Sequence, residues 1–302
     1  MSTLYTRAES NIRKTWVYIG FFLVFIILAG WIFSYYFGNY IILWAAVIYS
    51  FFTSFISYWY SDKIVLAVSR AKPIEKKDNP ELYRIVENLC ITAGLPLPKI
   101  YIIQDQQPNA FATGRDPKHA VVAVTQGLLD TLERVELEGV IAHEMSHIGN
   151  RDALLQTAIV VLVGVIVLMT DFFFRISFRF RSSNRDEEGN SQIKLIITIL
   201  AVALAILGPI FANLIKLAIS RKREFLADAS GALLTRYPDG LARALEKISK
   251  DPRQLRTANN ATSHLYIVNP FRTKNLHSKF SNLFLTHPPV EERIKALREM
   301  SV

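Results

Sequence analysis

The residues His143-Glu144-Met145-Ser146-His147 carry the most pointed chemistry in the sequence. In a helix, residues four apart lie one turn above another on one face, so both imidazoles can bind a single divalent cation. Glu144, beside the first imidazole, is placed to take a proton from a water that the metal activates. This H-E-x-x-H pattern is a signature of zinc-dependent peptide hydrolysis, although five residues alone also fit a helix surface bearing two histidines and an acid. A catalytic zinc needs a third protein ligand, His, Glu or Asp, from elsewhere. The candidate is Glu224, in the helix read at Arg221–Leu234, with Asp228 four residues later on the same face. Glu224 can then coordinate the metal while Asp228 accepts a hydrogen bond from a ligand imidazole and fixes its tautomer. The alternative is an acidic helix face balancing Arg221, Lys222 and Arg223.

The segments that must position these groups are unusually apolar. Of 302 residues, 51% are hydrophobic and 20% charged, and the single cysteine excludes a disulfide scaffold. The net charge of +9 flanks long apolar runs rather than striping a folded domain, which points to a lipid bilayer and no nucleic-acid partner. Thr15–Phe37 and Tyr40–Tyr60 are each long enough to cross roughly 30 Å of hydrocarbon. Ala153–Thr170 and Leu195–Leu217, the latter interrupted by Pro209, read as two further spans or as buried core helices. The expected organisation is residues 1–60 as a tail and transmembrane hairpin (spans 15–37 and 40–60) and 61–152 as the first part of a protease domain. Residues 153–217 follow as a second hairpin (spans 153–170 and 195–217), and 218–302 as the second part of the domain.

Topology tests the ligand set. Two crossings between His147 and Glu224 return the chain to the side it left, as a shared site requires. Lys and Arg near Arg7, Arg13 and Lys14, near Lys63–Lys77 and at Arg221–Arg223 put that side in the cytoplasm, while the basic loop 171–194 disagrees. Within that loop, Phe172–Arg181 reads as an interfacial anchor. The intervening polar segment reads as a helix Glu81–Ala93, strands Lys99–Gln104, Asn109–Gly114 and Ala120–Thr125, and an amphipathic helix Glu133–Gly149 bearing the two histidines. Cys90 reads as a small buried hydrophobe. The loop Lys250–Asn282 is either a lid over the cleft or mobile.

H-E-x-x-H followed by Glu224-Phe225-Leu226-Ala227-Asp228 resembles the HtpX-type integral-membrane zinc metallopeptidases, relatives of the eukaryotic CAAX prenyl proteases. Asn109-Ala110-Phe111-Ala112-Thr113-Gly114 is similar to that family's N-A-[FY] motif. Thr286-His287-Pro288-Pro289 with Glu292-Arg293 is similar to its C-terminal H-P-P and E-R motif. The resemblance implies a mainly α integral membrane protein of about four transmembrane helices, with an α+β zincin-like cytoplasmic protease domain containing a small β-sheet. It implies one Zn²⁺ per chain on His143, His147 and Glu224, with Glu144 as general base and Asp228 behind a ligand. Asn109 and His287 would contact the substrate backbone and stabilise the oxyanion; His287 fits a helix cap equally well. The implied activity is hydrolysis of unfolded or membrane-protein substrates, in quality control of misfolded membrane proteins, with Ala120–Thr125 pairing its edge with extended substrate. A prenyl-protein processing protease would need a larger chamber than four spans build. A transporter or non-catalytic scaffold would carry ionisable residues within the apolar cores, which hold almost none. His119, His264 and His277 match no motif.

Overall fold

The structure, a computed structural model, describes residues 4–162, 164, 221–257, 262–270 and 288–300. Helices α1 (Leu4–Phe37) and α2 (Tyr40–Trp59) form a hairpin through Gly38, at φ 62°, and Asn39, whose side chain caps α2 at the Ile41 N–H. Gly30 lets the pair touch, because a Cβ there would lie 2.2 Å from the Ala46 Cβ. Ser50, Thr53, Ser54 and Ser57 make the buried face of α2, while Trp16, Val24, Leu28, Trp44, Ile48 and Phe52 are exposed. Ala8–Ile32 and Tyr40–Trp59 are long and apolar enough to cross a membrane. Helix α1 begins well before the first apolar run, so the polar stretch around Asn11 is already helical.

Among the described residues these two of the four expected spans are long and apolar enough to cross. The front of the third run forms a short helix, Asp152–Leu162, which is buried throughout. Apart from Gly164, the rest of that run, the fourth run and Phe172–Arg181 lie outside the described residues.

Strands β1 (Lys72–Pro73), β2 (Lys99–Ile103), β3 (Ala110–Thr113) and β4 (Val121–Thr125) form one mixed sheet in the order β1-β2-β4-β3. The register pairs β2 with β4 in parallel and β3 with β4 antiparallel. This corrects the expectation that Ala120–Thr125 offers a free edge: β4 is paired on both sides. Its uninterrupted apolar run, VVAVT, is the mark of a strand buried on both faces. The outer edge belongs to β3, where the Ala110 carbonyl accepts from the Ile267 N–H at 3.0 Å.

The helices packed on this sheet are α3 (Ser61–Val68), α4 (Pro80–Ala93), α5 (Gln126–Thr131), α6 (Arg134–Gly149) and α7, the Asp152–Leu162 helix. Beyond the undescribed stretch come α8 (Arg221–Thr235), α9 (Pro238–Lys250) and α10 (Val290–Arg298). Asn79 and Gly94 bound α4 as a side-chain N-cap and a left-handed C-cap at φ 65°. Cys90 is buried in the core, and burial pushes its thiol up to about 11.

Helix α6 is central, in contact with β3, α4, α8 and α9. The amphipathic reading of α6 therefore does not hold: from Glu136 to Ile148 all but one position is buried, polar groups included. Its first turn is pinned by the Glu136 carboxylate, which accepts from the Glu133 N–H at 2.9 Å and from Lys247 Nζ at 2.7 Å. Helix α8 crosses α6 at Gly231, where a Cβ would lie 3.0 Å from the His143 nitrogen and 3.2 Å from the Ala142 carbonyl carbon. Both neighbours are main chain and cannot yield locally. Gly231→Ala is accordingly expected to destabilise by ~1–3 kcal/mol by prising the helices apart. Thermal unfolding of the detergent-purified variant measures this, and an unchanged midpoint would show slack in the contact.

Candidate metal centre and active site

Helix α6 presents His143, Glu144 and His147 toward α8, which presents Glu224 and Asp228; all five are buried. The two imidazoles point the same nitrogen inward, His143 Nε2 lying 3.2 Å from His147 Nε2. Glu224 closes the third side, Oε2 at 3.8 Å from His143 Nε2 and Oε1 at 3.6 Å from His147 Nε2. One atom from each of the three falls within 4.8 Å of the others, so His143, His147 and Glu224 could together hold a metal ion. The structure thus brings together the three positions that the sequence singled out.

Behind each imidazole stands a carboxylate. His143 Nδ1 lies 2.9 Å from Asp228 Oδ1, the contact that the spacing of Glu224 and Asp228 suggested. His147 Nδ1 lies 3.4 Å from Asp152 Oδ2, a partner that sequence reasoning missed. The acid just past the H-E-x-x-H helix was the available signal. Arg293, quoted in the E-R pair without a role, is 0% exposed and grips Asp228 bidentately, Nε to Oδ2 at 2.8 Å and Nη2 to Oδ1 at 2.7 Å. Its Nη1 donates to the Ile267 carbonyl at 2.9 Å and approaches Glu224 Oε2 at 3.4 Å.

Leu265, Tyr266 and Ile267 line one small hollow with His143, Glu144, His147, Gln156 and Glu224. This segment is well fixed. Tyr266 stacks edge-on against Phe111 at 5.2 Å, and Asn109 holds the main chain of Val268, donating Nδ2 to its carbonyl at 2.9 Å and accepting from its N–H at 3.4 Å. Asn109 is 0% exposed. Its amide is thus occupied by the chain's own backbone, where the sequence reading had put substrate. His287 and His277 lie outside the described residues, and His119 is exposed on a surface turn, paired with Asp116 at 2.8 Å.

The buried groups shift one another's proton affinities. Burial raises the Glu144 carboxyl to about 7; the nearby Glu224 charge adds to this, while His147, Arg293 and the Ala112 backbone N–H oppose it. Burial lowers His143 despite Asp228. Burial would lower His147 too, but the Asp152 hydrogen bond and the charges of Glu224, Asp152 and Glu144 win, raising it to about 9. Burial would also raise Asp228, and Arg293 overrides it to hold the carboxyl below the ordinary range. Four buried carboxylates thus surround two imidazoles, with Arg293 the fully buried cation among them. Two nitrogen donors and one carboxylate, each imidazole backed by an acid, is a donor set that suits a divalent ion of zinc's preference.

The chain is similar to proteins already known. The profile described as Peptidase family M48 matches residues 76–301. A "Protease HtpX homolog" of Dictyoglomus thermophilum is 48% identical over 301 residues, covering 99% of this chain and 95% of that one. Another, from Caldanaerobacter subterraneus subsp. tengcongensis, is 44% identical over 301 residues, covering 99% of each. A third, from Pyrococcus furiosus, is 50% identical over 247 residues, or 81% of this chain and 82% of that one. Among solved structures, Ste24p of S. mikatae shares the fold at a TM-score of 0.51 and 21% identity, over 97% of this chain and 66% of its own length. Because the profile runs unbroken from ahead of His143 to beyond Arg293, through both halves of the site, this chain belongs to peptidase family M48.

Proposed function

We propose that this chain is a multi-pass membrane endopeptidase that uses one zinc ion, faces the cytoplasm, and hydrolyses misfolded or damaged membrane proteins. Residues 61–152 and 218–302 would be the two parts of its protease domain. The observation that carries the reading is the convergence of His143, His147 and Glu224, with Glu144 adjacent and buried. The exposed apolar faces of α1 and α2 support a bilayer environment, since soluble proteins rarely leave such surface in water.

When bound, zinc supplies Lewis acidity, polarising the scissile carbonyl and bringing the pKa of a water toward about 7. The chain's own groups do the rest. Glu144 accepts a proton from the attacking water and passes it to the leaving amine, and its buried carboxyl, shifted to about 7, is matched to both transfers. Asp228 and Asp152 stand 2.9 Å and 3.4 Å from the Nδ1 atoms of His143 and His147, orienting the rings with Nε2 inward. Arg293 fixes Asp228. Asn109 contributes indirectly, by anchoring the main chain at Val268, and His287 is proposed to line the cleft.

The test is metal content and cleavage of a casein-like unfolded substrate by detergent-purified protein. Chelation should abolish cleavage and zinc restore it. Glu224→Ala should weaken zinc binding by more than the roughly 10–100-fold that an outer hydrogen-bond partner is worth. Full zinc stoichiometry in that variant would show that Glu224 is not the third ligand.

A further inference from the structure

Helix α1 reaches the metal centre. Asn11, on its first turns, is 6% exposed, and its Nδ2 donates to two acceptors far along the chain. One is the Asn150 carbonyl at 2.8 Å and the other is Asp152 Oδ1 at 2.7 Å. The opposite oxygen of that carboxylate, Oδ2, is the one that faces His147 Nδ1 at 3.4 Å. A continuous path therefore runs from the membrane hairpin through Asn11 and Asp152 to His147. One helical turn on, Thr15 is fully buried and its hydroxyl donates to the Asn11 carbonyl.

The turn that Asn11 clamps needs a clamp. Arg151, between α6 and α7, has φ 60°, a left-handed conformation that a non-glycine residue adopts only when its surroundings impose it. Asn150 and Asp152 flank it, and Asn11 bonds to both. A neutral amide also suits the task chemically. It orients the carboxylate without cancelling its charge, so Asp152 keeps its pull on the His147 ring, whereas a lysine in hydrogen-bond contact would withdraw it. Arg223 Nη1 stands farther off, at 3.6 Å from Asp152 Oδ1.

We propose that Asn11 is a positioning residue for the metal centre: it sets Asp152, which sets His147, so that the centre is complete only with α1 docked. The proposal rests on the metal-site reading above. A cavity of about 590 Å³ opens beside the contact, lined by Ser10, Lys14, Asn150 and Arg223 among others. Water can therefore enter when the amide is removed, which keeps the loss at the lower end of what outer partners contribute.

The experiment titrates full-length, detergent-purified protein with zinc against a chromogenic chelator. Asn11→Ala should raise the zinc dissociation constant roughly tenfold, with Ser10→Ala unchanged. Asp152→Asn should lose at least as much, and the double variant no more than Asp152→Asn alone. Cobalt-substituted Asn11→Ala should show a shifted ligand-field band, which mere loss of packing would not produce. If Asn11→Ala fails to fold, Asn11→Ser, a smaller polar change, is measured in its place and should raise the constant by a lesser factor. An unchanged constant, or losses that multiply in the double variant, overturns the proposal. Failure of the wild type itself to bind zinc would instead overturn the metal-site reading.

Discussion

Glu144→Gln is expected to bind zinc as the wild type does and to cleave an unfolded substrate ~10²–10⁴-fold more slowly. The substitution keeps the size and shape of a fully enclosed side chain, and the three candidate ligands, on other residues, are untouched. What is lost is a basic oxygen able to receive the water proton. The environment of Glu144 explains why the loss should be large. Burial brings its carboxyl to about 7, close to the proton affinity that the transfer needs, and the Ala112 N–H on the β3 edge helps orient it. Metal analysis and progress curves on the same preparations decide the matter. Cleavage within tenfold of wild type would remove Glu144 from the mechanism, and loss of zinc would make it a structural support instead.

Arg293→Leu should be the most destabilising single change at the site, by about 3–5 kcal/mol. The guanidinium is 0% exposed, and its removal leaves the Asp228 carboxylate charged and enclosed while stripping the Ile267 carbonyl of its donor. Adding Asp228→Asn to Arg293→Leu should recover part of the loss, because the stranded charge is then gone. Thermal or denaturant midpoints measure both. A change below about 1 kcal/mol in the single variant would mean that another group neutralises Asp228, since a broken buried pair normally costs far more.

The parts of this site that the sequence made legible are those written in helical spacing. His143 and His147, and Glu224 and Asp228, are pairs four apart, and one turn of helix converts each into neighbours. Capping chemistry was equally readable: Asn79-Pro80 and Gly94 bracket α4 as their side-chain types require. What stayed hidden depends on contacts between distant segments. Asn11 and Asp152 are ordinary polar residues in the sequence, and Arg293 stood in a recognised motif without a role; their meaning comes from which partners the fold brings to them. The expected free edge at Ala120–Thr125, which the resemblance implied, failed for a related reason. An unbroken apolar strand such as Val121–Thr125 signals burial, but not which neighbour pairs with it. Asn109 illustrates a third limit: its motif was recognised, yet only the structure reveals that its amide already holds Val268.

The double duty of Arg293 ties two properties together. One nitrogen edge steadies the acid behind His143, while Nη1 latches the backbone at Ile267 that lies over Glu144. Because both contacts leave one guanidinium, a displacement of the Ile267 backbone is felt at the Asp228 carboxylate, and the reverse. The course of the chain at Ile267 and the stiffness of the acid behind His143 thus hang on one side chain, and neither can be altered at this residue without disturbing the other.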